Sequence, residues 1–222
     1  MKVKVCGLTT PDNLTEATTL GVDFVGMIFY DKSPRYVDNP ELKKWLEENA
    51  SLFTGTKKVG VFVNAEVDYV LNAVHDYQLD YVQLHGDESA GYCSELKLLW
   101  SVNTLRSARV IKAFRITEDF DFNQTAPYTG SADLFVFDTG GHQDHGGTGE
   151  QWNWDLLANY TGPTSFLLSG GIGPKDLEKL RKLDHPQFVG VDINSKFETR
   201  PGVKDMEVVA KFVKGLHAEQ NT

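Results

Sequence analysis

The chain has 222 residues, of which 41% are hydrophobic and 24% are charged, with a formal net charge of −9. This length fits one α/β barrel with a full core, and the negative charge disfavours nucleic acid and anionic membranes as partners. Because the chain has no run of about 18 apolar residues that could span a bilayer and no signal peptide at its start, we expect a cytoplasmic protein without a membrane partner.

Short β-branched runs alternate with segments of helical spacing along the whole chain. The predicted strands cover residues 3–6, 23–29, 58–63, 81–84, 110–113, 134–137, 165–168 and 188–191. The predicted helices cover residues 11–20, 40–52, 66–77, 88–100, 118–124, 152–160, 174–183 and 204–218. Most of the strands are continuously apolar, which is typical of parallel strands covered on both faces.

This alternation predicts a parallel sheet. No Gly-x-Gly-x-x-Gly opens the first strand–helix turn, which favours closure into a barrel over an open doubly wound sheet. No linker or shift in composition marks a domain boundary. We therefore predict an α/β protein whose residues 1–222 form a single-domain (β/α)₈ TIM barrel with catalytic function.

Polar, reactive or glycine residues follow nearly every predicted strand. In such barrels the active site forms at the carboxyl ends of the strands. Cys6 ends the first strand, where it is either a small buried apolar residue or a thiolate base whose pKa is lowered by nearby charge. Asp138 follows the sixth strand, where it is either an acid whose pKa is raised by burial or the partner of a backbone turn. His85 follows the fourth strand.

Three glycine-rich pieces have the composition of phosphate-binding loops. They are residues 146–149, which end in Gly149, residues 169–173, which contain Gly170 and Gly171, and Asn194-Ser195 after the last strand. Phosphate sites in barrels are often built from the loops after strands 7 and 8, where glycine allows close approach of the backbone to an anion. Ordinary turn glycines are the alternative for any one loop, but two adjacent loops favour phosphate.

Three further features concern charge and metal binding. Arg35 lies on a loop where its planar guanidinium could bind a carboxylate through two bonds, and a solvated surface arginine is the alternative. His142 and His145 lie close together but lack an evident fourth ligand, so we expect no metal. Cys6 and Cys93 match no metal-ligand spacing, and we expect two free thiols.

Several segments together resemble the phosphoribosylanthranilate isomerase family over nearly the whole chain. No single segment is specific to this family, but the order and spacing of the segments along the chain are. They are Lys4-Val5-Cys6-Gly7, Ser33-Pro34-Arg35-Tyr36, Gln83-Leu84-His85-Gly86-Asp87, Phe137-Asp138-Thr139, Gly146-Gly147-Thr148-Gly149, Ser169-Gly170-Gly171-Ile172 and Gly190-Val191-Asp192-Ile193-Asn194-Ser195.

The resemblance implies an Amadori rearrangement of N-(5-phosphoribosyl)anthranilate in tryptophan biosynthesis. Asp138 would protonate the ring oxygen and Cys6 would remove the proton from sugar C2, without metal or cofactor. Arg35 would bind the anthranilate carboxylate, and His85 would line the pocket. The backbone of the phosphate loops would bind the phosphate; the residues assigned to it are Gly149, Gly170, Gly171, Ile172, Asn194 and Ser195. The expected partner is a phosphorylated small molecule, and the chain could act as a monomer or a homodimer.

The chain departs from the family pattern at Lys196, where the family often has glycine, and in a long loop that contains His142 and His145. Two alternatives stay open at this point. One is a different phosphate-binding barrel enzyme, such as the related histidine-pathway sugar isomerase, which has an aspartate where Cys6 stands, or a thiamin-phosphate-forming transferase, which would need an acidic cluster. The other is a non-catalytic phosphate-binding barrel, which would need neither Cys6 nor Asp138.

Overall fold

Eight parallel strands close into a barrel in the computed structural model, which describes residues 1–102, 107–140 and 151–218. The barrel is closed where β8 pairs with β1, in a register that puts Lys2 beside Gly190 and Lys4 beside Asp192. The predicted α/β class and single-domain (β/α)₈ barrel are therefore confirmed. The strands are β1 Lys2–Val5, β2 Phe24–Ile28, β3 Lys57–Phe62, β4 Tyr81–Leu84, β5 Arg109–Ile116, β6 Leu134–Thr139, β7 Phe166–Leu168 and β8 Phe188–Ile193.

Six α-helices lie in the described part of the chain, and none of them is long and apolar enough to cross a membrane. A two-stranded hairpin that the sequence pattern did not predict follows β8. The helices are α1 Pro11–Thr19, α2 Pro40–Glu48, α3 Val67–Asp76, α4 Ala90–Val102, α5 Leu177–Arg181 and α6 Met206–His217, and the hairpin strands are β9 Glu198–Arg200 and β10 Val203–Lys204.

Two of the predicted helices are wrong, and two others are only partly α-helical. The segment 40–52 is α-helical only to Glu48 and continues as a 3₁₀ helix at Ala50–Phe53. Residues 118–124 do not form an α-helix; the segment holds a 3₁₀ helix at Phe122–Tyr128, which contains Pro127. Proline lacks the N–H that an α-helix interior requires. The segment 152–160 is a 3₁₀ helix at Trp154–Asn159. The segment 174–183 begins as a 3₁₀ turn because the Asp176 carboxylate accepts a hydrogen bond from the Gly173 N–H, and α5 follows.

The helices α1 and α2 begin where the sequence provides capping side chains. The Thr10 hydroxyl accepts a hydrogen bond from the Asn13 N–H at the start of α1, and the Asn39 side chain accepts one from the Leu42 N–H at the start of α2. Each of these helices has proline at its first position, where no N–H is needed. These caps fix where the chain turns from the strand ends into the outer helices.

The core consists of two layers that follow from strand alternation. Val3 and Val5 face outward from β1 into the large cluster shared with the helices. The residues at alternate positions face the inside of the barrel. A smaller inner cluster fills that interior with Phe24, Val59, Ile111, Ala113, Leu134, Val136 and Leu167. The same alternation directs Lys4, Gln83 and Asp192 inward, because both neighbours of each belong to the outer cluster; Asp138 faces inward with Leu134 and Val136 of its own strand.

We predict that Gly190→Ala destabilises the protein by about 1–3 kcal/mol or more, the usual cost of overpacking. A Cβ at Gly190 would collide with the carbonyl group of Lys2, 2.7 Å from its carbon, across the β8–β1 pairing. Backbone atoms within a ladder cannot move aside without loss of hydrogen bonds. Urea unfolding at equilibrium measures the change. Gly55→Ala is the control, since a Cβ there meets no atom within 4 Å; equal stability of both variants would contradict the prediction.

Candidate active site

Four of the predicted site residues are brought together where the strands of the barrel end. Cys6 follows β1, His85 follows β4, and Asp138 lies in β6, and all three side chains are largely buried. Arg35, on the loop after β2, is also buried, at 9% exposure. Parallel strands in a closed barrel all end at one rim, so residues distant in sequence meet there.

The Cys6 thiol lies beside a buried ammonium group. Lys4, two residues earlier on the same face of β1, is fully buried, and its Nζ donates a hydrogen bond to Asp192 Oδ2 at 2.7 Å. A Cβ at Gly26 would lie 2.8 Å from the Cys6 Sγ and 3.2 Å from the Lys4 Nζ. Both groups therefore pack against Gly26, and glycine leaves room for them.

The charges around Cys6 act against one another. Burial raises the pKa of the Cys6 thiol above its ordinary value, and Lys4 opposes this effect by stabilising the thiolate. Asp192 adds to the rise, since it brings a second negative charge close to the sulfur. The rise agrees with the buried-residue alternative for Cys6, and the positive charge that the thiolate alternative requires is present in Lys4.

Asp138 is held by three contacts at the end of β6. Its Oδ1 accepts a hydrogen bond from the Thr139 N–H at 2.9 Å, its Oδ2 lies 3.1 Å from His85 Nε2, and Ser169 also hydrogen-bonds to it. Burial acts to raise the pKa of this carboxyl, but these contacts, led by His85, outweigh burial and hold its pKa below the usual value. The rise that burial alone would cause is therefore absent, and the bond from the Thr139 N–H matches the alternative of a carboxylate that binds a neighbouring backbone turn.

His85 is fixed on both sides of its ring. Its Nδ1 lies 2.9 Å from the Gln83 Nε2, and its Nε2 faces Asp138. The loop that carries it is held by a buried ion pair, in which the Lys112 Nζ donates to Glu88 Oε2 at 3.1 Å and to the Gly86 carbonyl at 2.7 Å. These contacts hold the His85 imidazole next to the Asp138 carboxylate.

Arg35 belongs to a buried charge network. Its Nε and one terminal nitrogen donate to the two oxygens of Glu198 at 2.8 and 2.7 Å. Lys204 Nζ donates to the same carboxylate at 2.7 Å and to Asn194 Oδ1 at 2.6 Å. Arg35 is therefore not a solvated surface arginine. Two of its five N–H donors are used by Glu198, the only acceptor that the guanidinium contacts within the described ranges.

Gly7 brings the arginine and the last loop together. Its φ of +75° lies in the region that glycine tolerates without strain, and a Cβ there would lie 2.7 Å from both the Arg35 Cδ and the Asn194 Oδ1. The loop after β1 thus lies under the side chains of the loops after β2 and β8.

The two predicted phosphate loops adjoin one another. Gly170 and Gly171 have φ values of +95° and +61°, and a Cβ at Gly170 would collide with Thr139. A Cβ at Gly173 would lie 3.6 Å from the Cβ of Lys196, so the loops after β7 and β8 are in contact. Ile172 is buried, and Asn194 immediately precedes the 3₁₀ turn Ser195–Phe197 that leads to β9. Gly149, His142 and His145 lie outside the described residues.

Several residues of the site were not assigned a role from the sequence. Lys4 had a usable signal, because a lysine two residues before a candidate thiolate on a buried strand must share its face. Gln83 and Asp192 likewise alternate with core residues. The sequence held no signal for Glu198 or Lys204, because both lie in the hairpin of β9 and β10, which the pattern did not predict.

The chain is similar to known proteins in sequence and in structure over nearly its whole length. Residues 3–215 match the family model described as N-(5′-phosphoribosyl)anthranilate (PRA) isomerase. The N-(5′-phosphoribosyl)anthranilate isomerase of Parabacteroides distasonis is 40% identical over 97% of this chain and 93% of its own length. The crystal structure of phosphoribosyl anthranilate isomerase from Thermus thermophilus is 27% identical, with a TM-score of 0.80 over 98% of this chain and 99% of that one.

A further solved structure contains a bound molecule. It is a phosphoribosyl anthranilate isomerase in complex with reduced 1-(o-carboxyphenylamino)-1-deoxyribulose 5-phosphate. It is 26% identical to this chain, with a TM-score of 0.78, and the match covers 98% of this chain and 99% of that one.

We predict that Lys4→Met and Asp192→Asn move the ionisation of Cys6 in opposite directions. Loss of the ammonium removes the group that stabilises the thiolate, so the pH of half-maximal alkylation by iodoacetamide should rise by about 1 or more. Loss of the carboxylate removes a like charge, so this pH should fall. Mass spectrometry locates the label, and Cys6→Ser is the control for labelling at Cys93. A shift in the same direction in both variants would refute this account of the charges.

Proposed function

The chain belongs to the N-(5′-phosphoribosyl)anthranilate isomerase family, and on this premise we propose that Cys6 and Asp138 perform the acid–base chemistry of its reaction. The reaction is the Amadori rearrangement of N-(5′-phosphoribosyl)anthranilate to 1-(2-carboxyphenylamino)-1-deoxyribulose 5-phosphate, an aldose–ketose isomerisation in tryptophan biosynthesis. The observation that carries the assignment is that a thiol beside an ammonium and a carboxyl beside an imidazole lie at one rim of the barrel.

Asp138 is the general acid in this proposal. It protonates the ring oxygen of the ribose as the bond between that oxygen and C1 breaks, which opens the furanose to a Schiff base. Burial supports this role because it excludes water from the donor, and the Thr139 N–H bond fixes the carboxyl in one orientation. The contact with His85 supplies a neighbouring group that can exchange a proton with it.

Cys6 is the general base. Its thiolate removes the proton from sugar C2 of the Schiff base, and the resulting enolamine tautomerises to the ketone. Cys6 follows β1 while Asp138 lies in β6, and β7 and β8 separate these strands around the barrel. This placement supports an acid and a base that act from different sides of one sugar. Lys4 supports the base by balancing the charge of its thiolate.

The ends of the substrate are held by the surrounding loops in the proposal. The backbone of Gly170, Gly171 and Ile172 after β7, with Asn194 and Ser195 after β8, binds the phosphate, and we assign Gly149 to the same site from the sequence pattern. Two successive positive φ values and the contact between these loops support this binding role. The donors of Arg35 that Glu198 does not use bind the anthranilate carboxylate.

We further propose that residues 1–222 constitute one catalytic domain, which works in the cytoplasm as a monomer or a homodimer. Its partner is the phosphorylated small-molecule substrate, and the charge of −9 argues against nucleic acid. Light scattering of the purified protein distinguishes the two oligomeric states. A non-catalytic barrel that only binds phosphate is disfavoured, because it would have no use for a buried thiol beside an ammonium or for the pair His85–Asp138.

We predict that Cys6→Ser and Asp138→Asn each lower kcat for N-(5′-phosphoribosyl)anthranilate by about 10²-fold to 10⁴-fold, since each removes one proton-transfer group. Loss of anthranilate fluorescence measures turnover. Cys93→Ala and Asp184→Asn serve as controls because neither residue belongs to the site described above: Cys93 is a buried thiol on the outer helix α4, and Asp184 is an exposed carboxylate after α5. Near-wild-type turnover by either site variant would overturn the assignment of that residue.

We predict that Arg35→Lys raises KM by about 10-fold to 100-fold, because lysine cannot bind a carboxylate through two parallel bonds. The effect should vanish for N-(5′-phosphoribosyl)aniline, which lacks the carboxylate. Glu198→Gln is the control for damage to the charge network and should change KM less. If Arg35→Lys weakens both substrates equally, Arg35 acts on the structure of the site and not on the carboxylate.

A further inference from the structure

A buried amide next to the catalytic rim has an unused oxygen. Gln83 in β4 is 1% exposed, and its Nε2 lies 2.9 Å from the His85 Nδ1. Its Oε1 is buried, and no hydrogen-bond partner for it occurs in the described part of the chain. A buried carbonyl without a partner costs about 1–3 kcal/mol. A leucine or methionine of similar size would avoid this cost, so the amide calls for an explanation.

The amide can serve His85 in either protonation state. With its NH₂ group toward the ring, it donates to an unprotonated Nδ1, and the single ring proton is then on Nε2, which faces Asp138. If the amide is rotated by half a turn, Oε1 accepts from a protonated Nδ1, and the ring can carry protons on both nitrogens. A carboxylate or a backbone carbonyl at the same place can only accept a hydrogen bond, so it would favour only those states of the ring in which Nδ1 carries a proton.

Two carboxylates lie near the ring. Asp138 lies 3.1 Å from the Nε2, and Asp192 of β8 also senses the charge of His85. The cations on the neighbouring elements are already paired. Those pairs are Lys112 with Glu88, Arg115 with Asp87, and Lys4 with Asp192.

We propose that Gln83 is a positioning residue that enables His85 to hold the proton Asp138 delivers to the substrate. The proposal rests on the acid role of Asp138. The His85 Nε2–H bond breaks as an O–H bond forms on Asp138, and the ring keeps its Nδ1–H, which donates to Gln83 Oε1. The O–H bond of Asp138 then breaks as the ring oxygen of the sugar takes the proton and the electron pair of its bond to C1.

The state of Asp138 supports this arrangement. The contacts of this carboxyl hold its pKa below the usual value, so Asp138 alone is ionised near neutral pH and has no proton to give. The proton of the acid then belongs to the His85–Asp138 pair and not to either residue alone.

The proposal is tested with Gln83→Glu and Gln83→Leu, with Gln124→Glu as a surface control for added charge. The pH dependence of kcat/KM and the ¹⁵N NMR signals of the His85 ring, assigned by their loss in His85→Asn, are measured for each protein. In Gln83→Glu the ring should stay doubly protonated, and activity should persist, to a higher pH than in wild type. In Gln83→Leu the doubly protonated ring and the activity should both be lost at a lower pH than in wild type, and kcat should fall about 10-fold to 100-fold.

Two results would overturn the proposal. One is titration of the His85 ring at the same pH in wild type, Gln83→Glu and Gln83→Leu. The other is a shift of the alkaline limb of activity in one direction in both variants, which indicates a packing role. If Gln83→Glu fails to fold, Gln83→Leu alone decides by its NMR signals and its pH profile. Failure of the acid role is distinguished by full turnover in Asp138→Asn, whereas the NMR signals report on Gln83 without turnover.

Discussion

The pairing of β1 with β8 closes the barrel, and a buried ion pair lies on that junction. Lys4 and Asp192 are partners in the register, and their side chains meet at 2.7 Å inside the barrel. Removal of one member of such a pair typically costs about 3–5 kcal/mol, because an uncompensated charge is left in the interior. Burial opposes the charge of Lys4, but Asp192 and Cys6 outweigh burial and keep its pKa above the usual value. The junction that closes the barrel and the charge beside the thiol therefore share one contact.

Two buried pairs of ionisable side chains lie at the rim, next to the apolar cluster that fills the inside of the barrel. Cys6 with Lys4 forms one pair, and Asp138 with His85 forms the other. The inner cluster fills the barrel below them, so the polar groups are confined to the end where the loops emerge. In this desolvated setting each charge changes the pKa of its neighbours more than it would in water. That is why burial together with neighbouring charges, and not burial alone, sets the direction in which the pKa of each candidate group departs from its ordinary value.

The loops that surround these residues are fixed by charges of their own. Glu198 binds both Arg35 and Lys204, and Glu88 binds Lys112 below the loop that carries His85. These pairs hold loop backbone in place through side chains from distant parts of the chain. An isomerisation that needs one acid and one base benefits from such rigidity, because the reacting groups must keep their geometry through several proton transfers. The substrate adds its own charges at the two ends.

The sequence alone determined the class of fold, because eight apolar strands with helical segments between them leave few other topologies. It also located Cys6, His85, Asp138, Arg35 and the glycine-rich loops, since strand ends in a parallel barrel share one rim, and the resemblance gave them roles. The tertiary structure decided what surrounds each group. The 3₁₀ segments around Phe122 and Trp154, the hairpin that carries Glu198, and the contacts of Lys4 and Gln83 were not evident from local pattern. Pattern reports which face a side chain takes, but the direction of a pKa shift depends on distances between charges on different strands, which only the closed barrel fixes.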